Sequence, residues 1–433
     1  MHNTRSDNTD VKMLYKVLIA AAMGNFIEWF DFAIYGYLAI ILSKLFFPES
    51  NASMGLIKVF AVFAVAFALR PIGAVIFGTF GDHVGRKKAL IVSIALMATA
   101  TTIIGLLPVY DSIGIMAPIL LSLARCLQGL SAGGEYAGAC TYVMEHAPSH
   151  QRGKYGSYIP VSTFASFALA AIFTYVLSRV LSHEQMLGWG WRIPFLMAAP
   201  LGLIGLYIRL SLNETPAFRA LENEHKQAHA PLRDAFKTQW ARMLKLGAFI
   251  SLTALAFYTF TTYFTTYMQI VGHLSRTQSL FVTVLAMSFA AIICPFFGYF
   301  TDFIGRRKSI IITSLLLIVL IYPSLSLTKY SSVPLAIIGV LLLALSAVFA
   351  NVVTAVLLSE TFPTRVRYTA SAITYNVAYA IFGGTAPLVA TWLISLTGNT
   401  ISPLFYIIAI AVLGLIGGIM LPETSRISLA DKT

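Results

Sequence analysis

The sequence predicts an all-α membrane protein whose twelve transmembrane helices form two pseudo-symmetric halves of six. Three observations predict it. Apolar residues fill 58% of the 433 positions and charged residues only 11%. A soluble chain of this length cannot hide that much apolar surface, so lipid is the solvent for much of it. Runs of roughly 20 apolar residues, the length that crosses a bilayer, recur from end to end between short polar breaks. Finally, three polar motifs of the first half return in the same order in the second.

The spans fall near 15–42, 57–80, 89–107, 117–143, 154–180, 192–211, 246–271, 279–300, 309–328, 334–358, 368–396 and 401–421. The polar leader and the long first run do not form a cleavable signal. If both termini are cytoplasmic, the inward segments hold 22 of the 30 Lys and Arg. Such a bias orients membrane proteins, so the net charge of +12 reports topology rather than nucleic-acid binding. Cys126, Cys140 and Cys294 lie inside apolar runs, with no disulfide framework or metal spacing. The eight His are terminal or in loops, and no HExxH or GxSxG occurs, so neither metal nor cofactor is expected and enzymatic function is excluded.

Five segments follow: a cytoplasmic tail (1–14), a six-helix bundle (15–211), a cytoplasmic linker rich in charge (212–245), a second bundle (246–421) and a cytoplasmic tail (422–433). The two bundles repeat each other. Asp82-x-x-Gly85-Arg86 after span two returns as Asp302-x-x-Gly305-Arg306 after span eight, 220 residues on. Glu145-x-x-Pro148-x-x-x-Arg152 returns as Glu360-x-x-Pro363-x-x-x-Arg367, and Leu212-x-Glu214-Thr215 as Leu421-x-Glu423-Thr424. A duplicated parallel repeat with a midplane cavity between its halves is the plan of a transporter. The Asp and Gly spacing exceeds what topology alone requires. These loops are therefore expected to latch neighbouring helices in one conformation and release them in the other.

An ionisable residue at a span centre costs upward of about 2.5 kcal/mol and needs a reason. Five qualify: Glu28 and Asp31 in span one, Arg70 in span two, Arg125 and Glu135 in span four. Asn25, Glu28, Asp31 and Tyr35 share one side of span one, and Arg125, Gln128, Glu135 and Tyr136 one side of span four. Three acids against two bases leave one acid unpaired and able to carry a proton. Glu28 and Asp31, one turn apart, are the foremost candidates as a coupled pair, with Glu135 next. Arg70 and Arg125 suit a substrate carboxylate, because guanidinium pairs with it bidentately. Structural ion pairing is the competing explanation.

No charge lies at mid-depth in the second half. Instead, Tyr258, Thr262, Thr265 and Gln269 make a polar stripe on span seven, and Asn376, Tyr379, Gly383 and Pro387 one on span eleven. Such stripes serve either as interhelical glue or, opposite the arginines, as the far wall of the cavity. Gly129, Gly133, Gly134 and Gly138 mark span four for close helix approach.

The D-x-x-G-R loops resemble the cytoplasmic motif of the major facilitator superfamily. Gly24-Asn25-Phe26-Ile27-Glu28-Trp29-Phe30-Asp31-Phe32, Leu69-Arg70-Pro71-Ile72-Gly73, Gln128 to Glu135 and Trp189 to Phe195 resemble its metabolite:proton symporters. That family includes bacterial α-ketoglutarate, citrate and proline/betaine permeases. Phe257 to Tyr263 and Ala380 to Gly384 lean toward the carboxylate members. The resemblance implies a major facilitator fold, alternating access and proton coupling in a bacterial inner membrane, both termini cytoplasmic. The absence of a G-P-x-x-G-G run in span five favours uptake over drug export. The expectation is a monomeric, proton-coupled importer of a small carboxylate such as α-ketoglutarate or citrate. Proline/betaine uptake is the alternative, with a uniporter or solute-sensing receptor behind it. The sequence ends at Thr433 without the coiled coil of the osmosensing member of that branch, which weakens an osmosensor reading.

Overall fold

A computed structural model describes residues 4–49, 52–84, 86–210, 231–363, 366–425 and 427, without the side chains at 4–13, 16, 52–53, 78–79, 81–84, 86–87 and 231. Every described element is helical. Span one is Thr4–Tyr37, continued by Ala39–Phe46. Span two comprises Ala52–Ala68 and Arg70–Val84, and span three is Arg86–Leu106. Span four comprises Met116–Ser131 and Glu135–His146. Span five is chiefly Tyr158–Val180, and span six ends in Ala198–Leu210. Span seven runs from Pro231–Tyr258 through a π turn into Phe264–Ile270. Spans eight, nine and ten are Arg276–Ile304, Arg306–Thr328 and Val333–Glu360. Span eleven pairs Arg367–Ala378 with Ala386–Thr397 across a second π turn, and span twelve is Pro403–Ile419.

Local chemistry sets the boundaries. Ser275 and Gln278 form a capping box at the start of span eight, satisfying amide donors that have no partner within the helix. Gly305 turns span eight into span nine at φ +88°, a conformation that favours glycine. That is why glycine occupies the centre of the D-x-x-G-R motif. Of the linker, residues 211–230 lie outside the described residues. Residues 231–245, placed in the linker by their charge, instead begin the span-seven helix.

Spans one and seven are the innermost: 78% of the most apolar window of each is buried inside the protein, against 33% for span six. They occupy equivalent places in the two halves, and their inner faces carry the site. Spans two and four approach backbone to backbone. A Cβ at Gly129 would overlap the Ala66 carbonyl, one at Gly73 the Leu130 carbonyl, and one at Gly133 the backbone of Ala74. Small residues permit this approach in the membrane, where packing rather than hydrophobicity joins helices. The break in span four at 132–134 and the Arg70–Pro71 joint in span two lie beside each other. Polar backbone therefore faces the interior at the level of the charged residues.

Candidate functional site

Span one supplies the floor. Glu28 accepts from Arg70 Nη2 at 2.7 Å, both side chains being almost wholly buried. Asp31 accepts from Gln128 Nε2 at 2.7 Å and from Arg125 Nη1 at 3.4 Å. Gln128 also donates to Thr101 Oγ1 and accepts from Arg125 Nη1 at 2.7 Å. Arg125 stacks on Tyr35, with Cζ 4.3 Å from the ring centroid, while the Tyr35 hydroxyl donates to Val59 O. The Phe32 ring lies 5.4 Å from Arg70 Cζ and 5.0 Å from Arg125 Cζ. These contacts join Glu28, Asp31, Tyr35, Arg70, Arg125 and Gln128 in one cluster, as their spacing predicts.

The charge count differs from the expectation. Glu135 is paired with Arg209, and both are buried. Three acids thus meet three bases, and no acid is left over. By position, at the end of span six, Arg209 belongs with the 22 inward Lys and Arg. Its long side chain turns back into the bundle beside Gly24, where any Cβ would overlap its guanidinium. A usable signal exists in the sequence: Gly202, Gly205 and Arg209 share the buried face of their helix. Nor do Glu28 and Asp31 act as one carboxylate pair, since each has its own arginine.

The far wall comes from the second half. Arg70 Nε donates to Asn376 Oδ1 at 3.0 Å, and Asn376 Nδ2 donates to Gly133 O. Tyr258 and Tyr379 face the cluster, with rings 6.1 Å apart. Trp29 lies 5.0 Å from Phe257, Phe67 lies 5.0 Å from Tyr258, and Tyr375 stacks on Tyr379 at 4.0 Å. Arg70 Cζ sits 5.5 Å from the Trp29 ring and 5.3 Å from Phe67. Two guanidinium groups and a box of aromatic rings therefore share the interface between the halves. Arg70 Nη1, Arg125 Nε and Nη2, Glu28 Oε2 and the Tyr258 hydroxyl are buried there without a hydrogen-bond partner.

Three proposed contacts lie elsewhere. Asn25 donates to Ile159 O, Ser162 Oγ and Thr163 Oγ1 of span five and accepts from Trp29 Nε1, so it joins helices. Thr262 packs its methyl against Gly36 of span one. Thr265 bonds Thr283 of span eight at 2.9 Å, and Gln269 donates back to Thr265 O. For the span-seven residues the reason is the π turn at Thr259–Tyr263. It inserts one residue, rotating all that follows by about 100° relative to an α-helical stripe. The matching π turn at Tyr379–Gly383 brings Gly383 and Gly384 under the rings of Tyr258 and Phe67, where a Cβ would collide.

A family profile of the Major Facilitator Superfamily matches residues 21–387 and again 273–428. The chain belongs to this superfamily. Among its relatives are the glycine betaine/proline/ectoine/pipecolic acid transporter OusA of Dickeya dadantii (38% identical, covering 97% of this chain and 85% of that one) and the proline/betaine transporter of Escherichia coli K12 (37%, 97% and 86%). A putative proline/betaine transporter of Staphylococcus aureus MSSA476 is 40% identical (94% and 87%). The proton:xylose symporter XylE bound to 6-bromo-6-deoxy-D-glucose shares the fold at a TM-score of 0.78 and 18% identity, covering 97% of this chain and 98% of that one. The protein is an integral membrane, secondary transporter of the major facilitator type.

The facilitator's repeated loops, where their side chains are described, gather on one face. Asp302 accepts from the Gly153 and Lys154 amides at 2.8 and 2.9 Å, joining span eight to span five across the halves. Arg306 grips Asp302 at 2.9 Å and forks onto Glu360 at 3.0 Å. Arg152 reaches Glu360 at 3.6 Å, and Arg367 reaches Glu145 at 3.3 Å. Glu423 accepts from the Arg306 and Arg307 amides at the start of span nine. Burial pushes its carboxyl up, but those amides and that of Ser425 outweigh burial and hold it below the ordinary 4.5. Of the candidate gate residues, Glu145, Arg152, Asp302, Gly305, Arg306, Glu360 and Arg367 lie in or beside this network, whereas Asp82, Gly85 and Arg86 fall outside the described side chains. With this face bolted and the central rings in contact, the conformation is closed on the side of these loops.

Proposed function

We propose that the facilitator imports a small zwitterion of the proline/betaine class together with a proton. The observation that carries this is the pairing of Arg70, with one N–H uncommitted, and the rings of Trp29, Phe67, Tyr258 and Tyr379 across the interface. A guanidinium takes a carboxylate, and aromatic faces take a quaternary or secondary ammonium, worth up to about 2 kcal/mol when desolvated. A dicarboxylate has no group for the rings. The names of the relatives support the same choice, so this reading replaces the carboxylate expectation. The second guanidinium, Arg125, is what favours α-ketoglutarate or citrate as the second reading.

Coupling follows from the pairing rather than from a surplus acid. A substrate carboxylate that claims Arg70 leaves Glu28 without its counter-charge at mid-membrane, a state costing several kcal/mol. A proton on Glu28 removes that cost, so substrate and proton are bound together. Asp31 keeps Arg125 in place through Gln128. Rocking of the halves then exposes the site to alternate faces, with the loop network as the inner bolt. The basic bias places both termini and the linker in the cytoplasm. Cysteine labelling that found the linker outside would overturn this orientation.

Purified protein in proteoliposomes decides the substrate. Glycine betaine or proline should accumulate against its gradient when the exterior is acid, and a protonophore should abolish the accumulation. Accumulation of α-ketoglutarate or citrate instead would establish the second reading. Equilibration indifferent to the protonophore would make the protein a uniporter. Binding without any flux would make it a sensor.

A further inference from the structure

A second feature adjoins the substrate cluster and shares Glu28 with it. A small cavity sits among spans one, three and four, lined by Gly24, Glu28, Ser93, Met97, Ser131 and Glu135 among others. It leaves about 10 Å³ for the centre of a water molecule, which is room for one. Both glutamates line it almost wholly buried, at 3% and 2% exposure. Each spends one oxygen on an arginine: Glu28 Oε1 on Arg70, Glu135 Oε1 on Arg209. Each keeps a second oxygen, Oε2, buried and without a partner. Asp31 differs, because Gln128 and Arg125 occupy both its oxygens.

We propose that this cavity is a proton-transfer site, in which one water relays the symported proton from Glu28 to Glu135. The proposal rests on the proton-coupled reading above and adds a route to it. The O–H bond on Glu28 Oε2 breaks as the water accepts that proton. The water gives up another of its protons, and an O–H bond forms on Glu135 Oε2. Glu28 is again an anion and re-forms its pair with Arg70, while the neutral Glu135 releases Arg209. The proton has moved from Glu28 to Glu135 within the first half, away from the aromatic box. When it leaves Glu135, Arg209 closes the pair again.

The surroundings suit this role. Glu28 is faced by Arg70 from span two, Glu135 from span four, Arg209 from span six and the Tyr258 phenol from span seven. Span three contributes Ser93, Ile94 and Met97 to the cavity, none of them charged. Among the described residues that line the cavity, Glu135 is the one carboxylate besides Glu28. Gly24 is part of the device: a Cβ there would overlap both the Arg209 guanidinium and Glu135 Oε1, so the pair could not keep its place.

The test uses the full chain in proteoliposomes loaded with a pH dye. It reads the ratio of glycine betaine-driven proton entry to glycine betaine counterflow. Glu135→Gln should lower that ratio by at least about tenfold, the low end for losing a positioned proton-transfer group. Glu135→Asp should restore part of it, and Gly24→Ala, which leaves the carboxyl present, should lower it again. A ratio equal to wild type in Glu135→Gln, whether or not both activities fall, overturns the relay and makes Glu135 a structural partner of Arg209. Absence of betaine-driven proton entry in the wild type overturns the relay along with the coupled reading itself.

Discussion

Asp302→Asn is the sharpest probe of the bolt. The wild-type carboxylate takes two amides of the opposite half, at 2.8 and 2.9 Å, and each hydrogen bond to a charged acceptor contributes about 1.5–3 kcal/mol. Asparagine keeps the shape but offers one acceptor oxygen. One amide then faces an NH2 group, and the surviving bond, now neutral, is roughly half as strong. Hydration of the freed amide offsets part of the loss. A net shift of about 2–3 kcal/mol corresponds to a roughly 30- to 150-fold change in the closed-to-open ratio of the cytoplasmic face. Spin labels at the exposed positions His150 and Lys308, on a background lacking the native cysteines, report this as a distance distribution. The variant should move from one short distance to a population dominated by a longer one. Glu145→Gln, which weakens the longer contact to Arg367 at 3.3 Å, should move it less. An unchanged distribution in Asp302→Asn would refute the assignment of these bonds to the gate.

Asn25→Ala removes one residue from four hydrogen bonds and should lower the melting temperature while leaving the preference between betaine and proline as it was; a change in preference would return Asn25 to the substrate site. Gly129→Ala pushes a methyl into the Ala66 carbonyl and should destabilise by about 1–3 kcal/mol, read by thermal unfolding in detergent. Arg70→Lys loses the planar fork that meets Asn376 and Glu28 together; uptake should fall about tenfold or more with insertion intact, and wild-type uptake in both Arg70→Lys and Arg70→Ala would make the residue structural. Glu423 is held below its ordinary value by backbone amides, so its cap on span nine is in place at neutral pH and lost as pH falls through that lowered value. Glu423→Gln should therefore destabilise near pH 7 and converge with wild type in acid. Curves that stay parallel however far the pH falls below 4.5 would contradict this.

How much of the molecule is legible along the chain follows from which interactions are local. Apolar runs report spans because crossing lipid is a property of about 20 consecutive residues. The repeated D-x-x-G-R and E-x-x-P-x-x-x-R loops report two related halves for the same reason, and Gly305 was readable because its φ of +88° demands that residue type. The first-half cluster was legible too, since Glu28, Asp31, Tyr35, Arg125 and Gln128 lie on unbroken helical turns where spacing translates into a face. The partner of Glu135 was not, because a long side chain at a helix end turns toward lipid, water or core according to what packs beside it, and Gly24 makes the room. The span-seven stripe failed at Thr265 because a π turn adds a residue without any mark that periodicity can register. The aromatic box, the bolt and the Glu28–Glu135 cavity each join residues 60 or more positions apart in the chain. They exist only once the helices have packed, and which atoms meet is then set by close contact between surfaces rather than by order along the sequence.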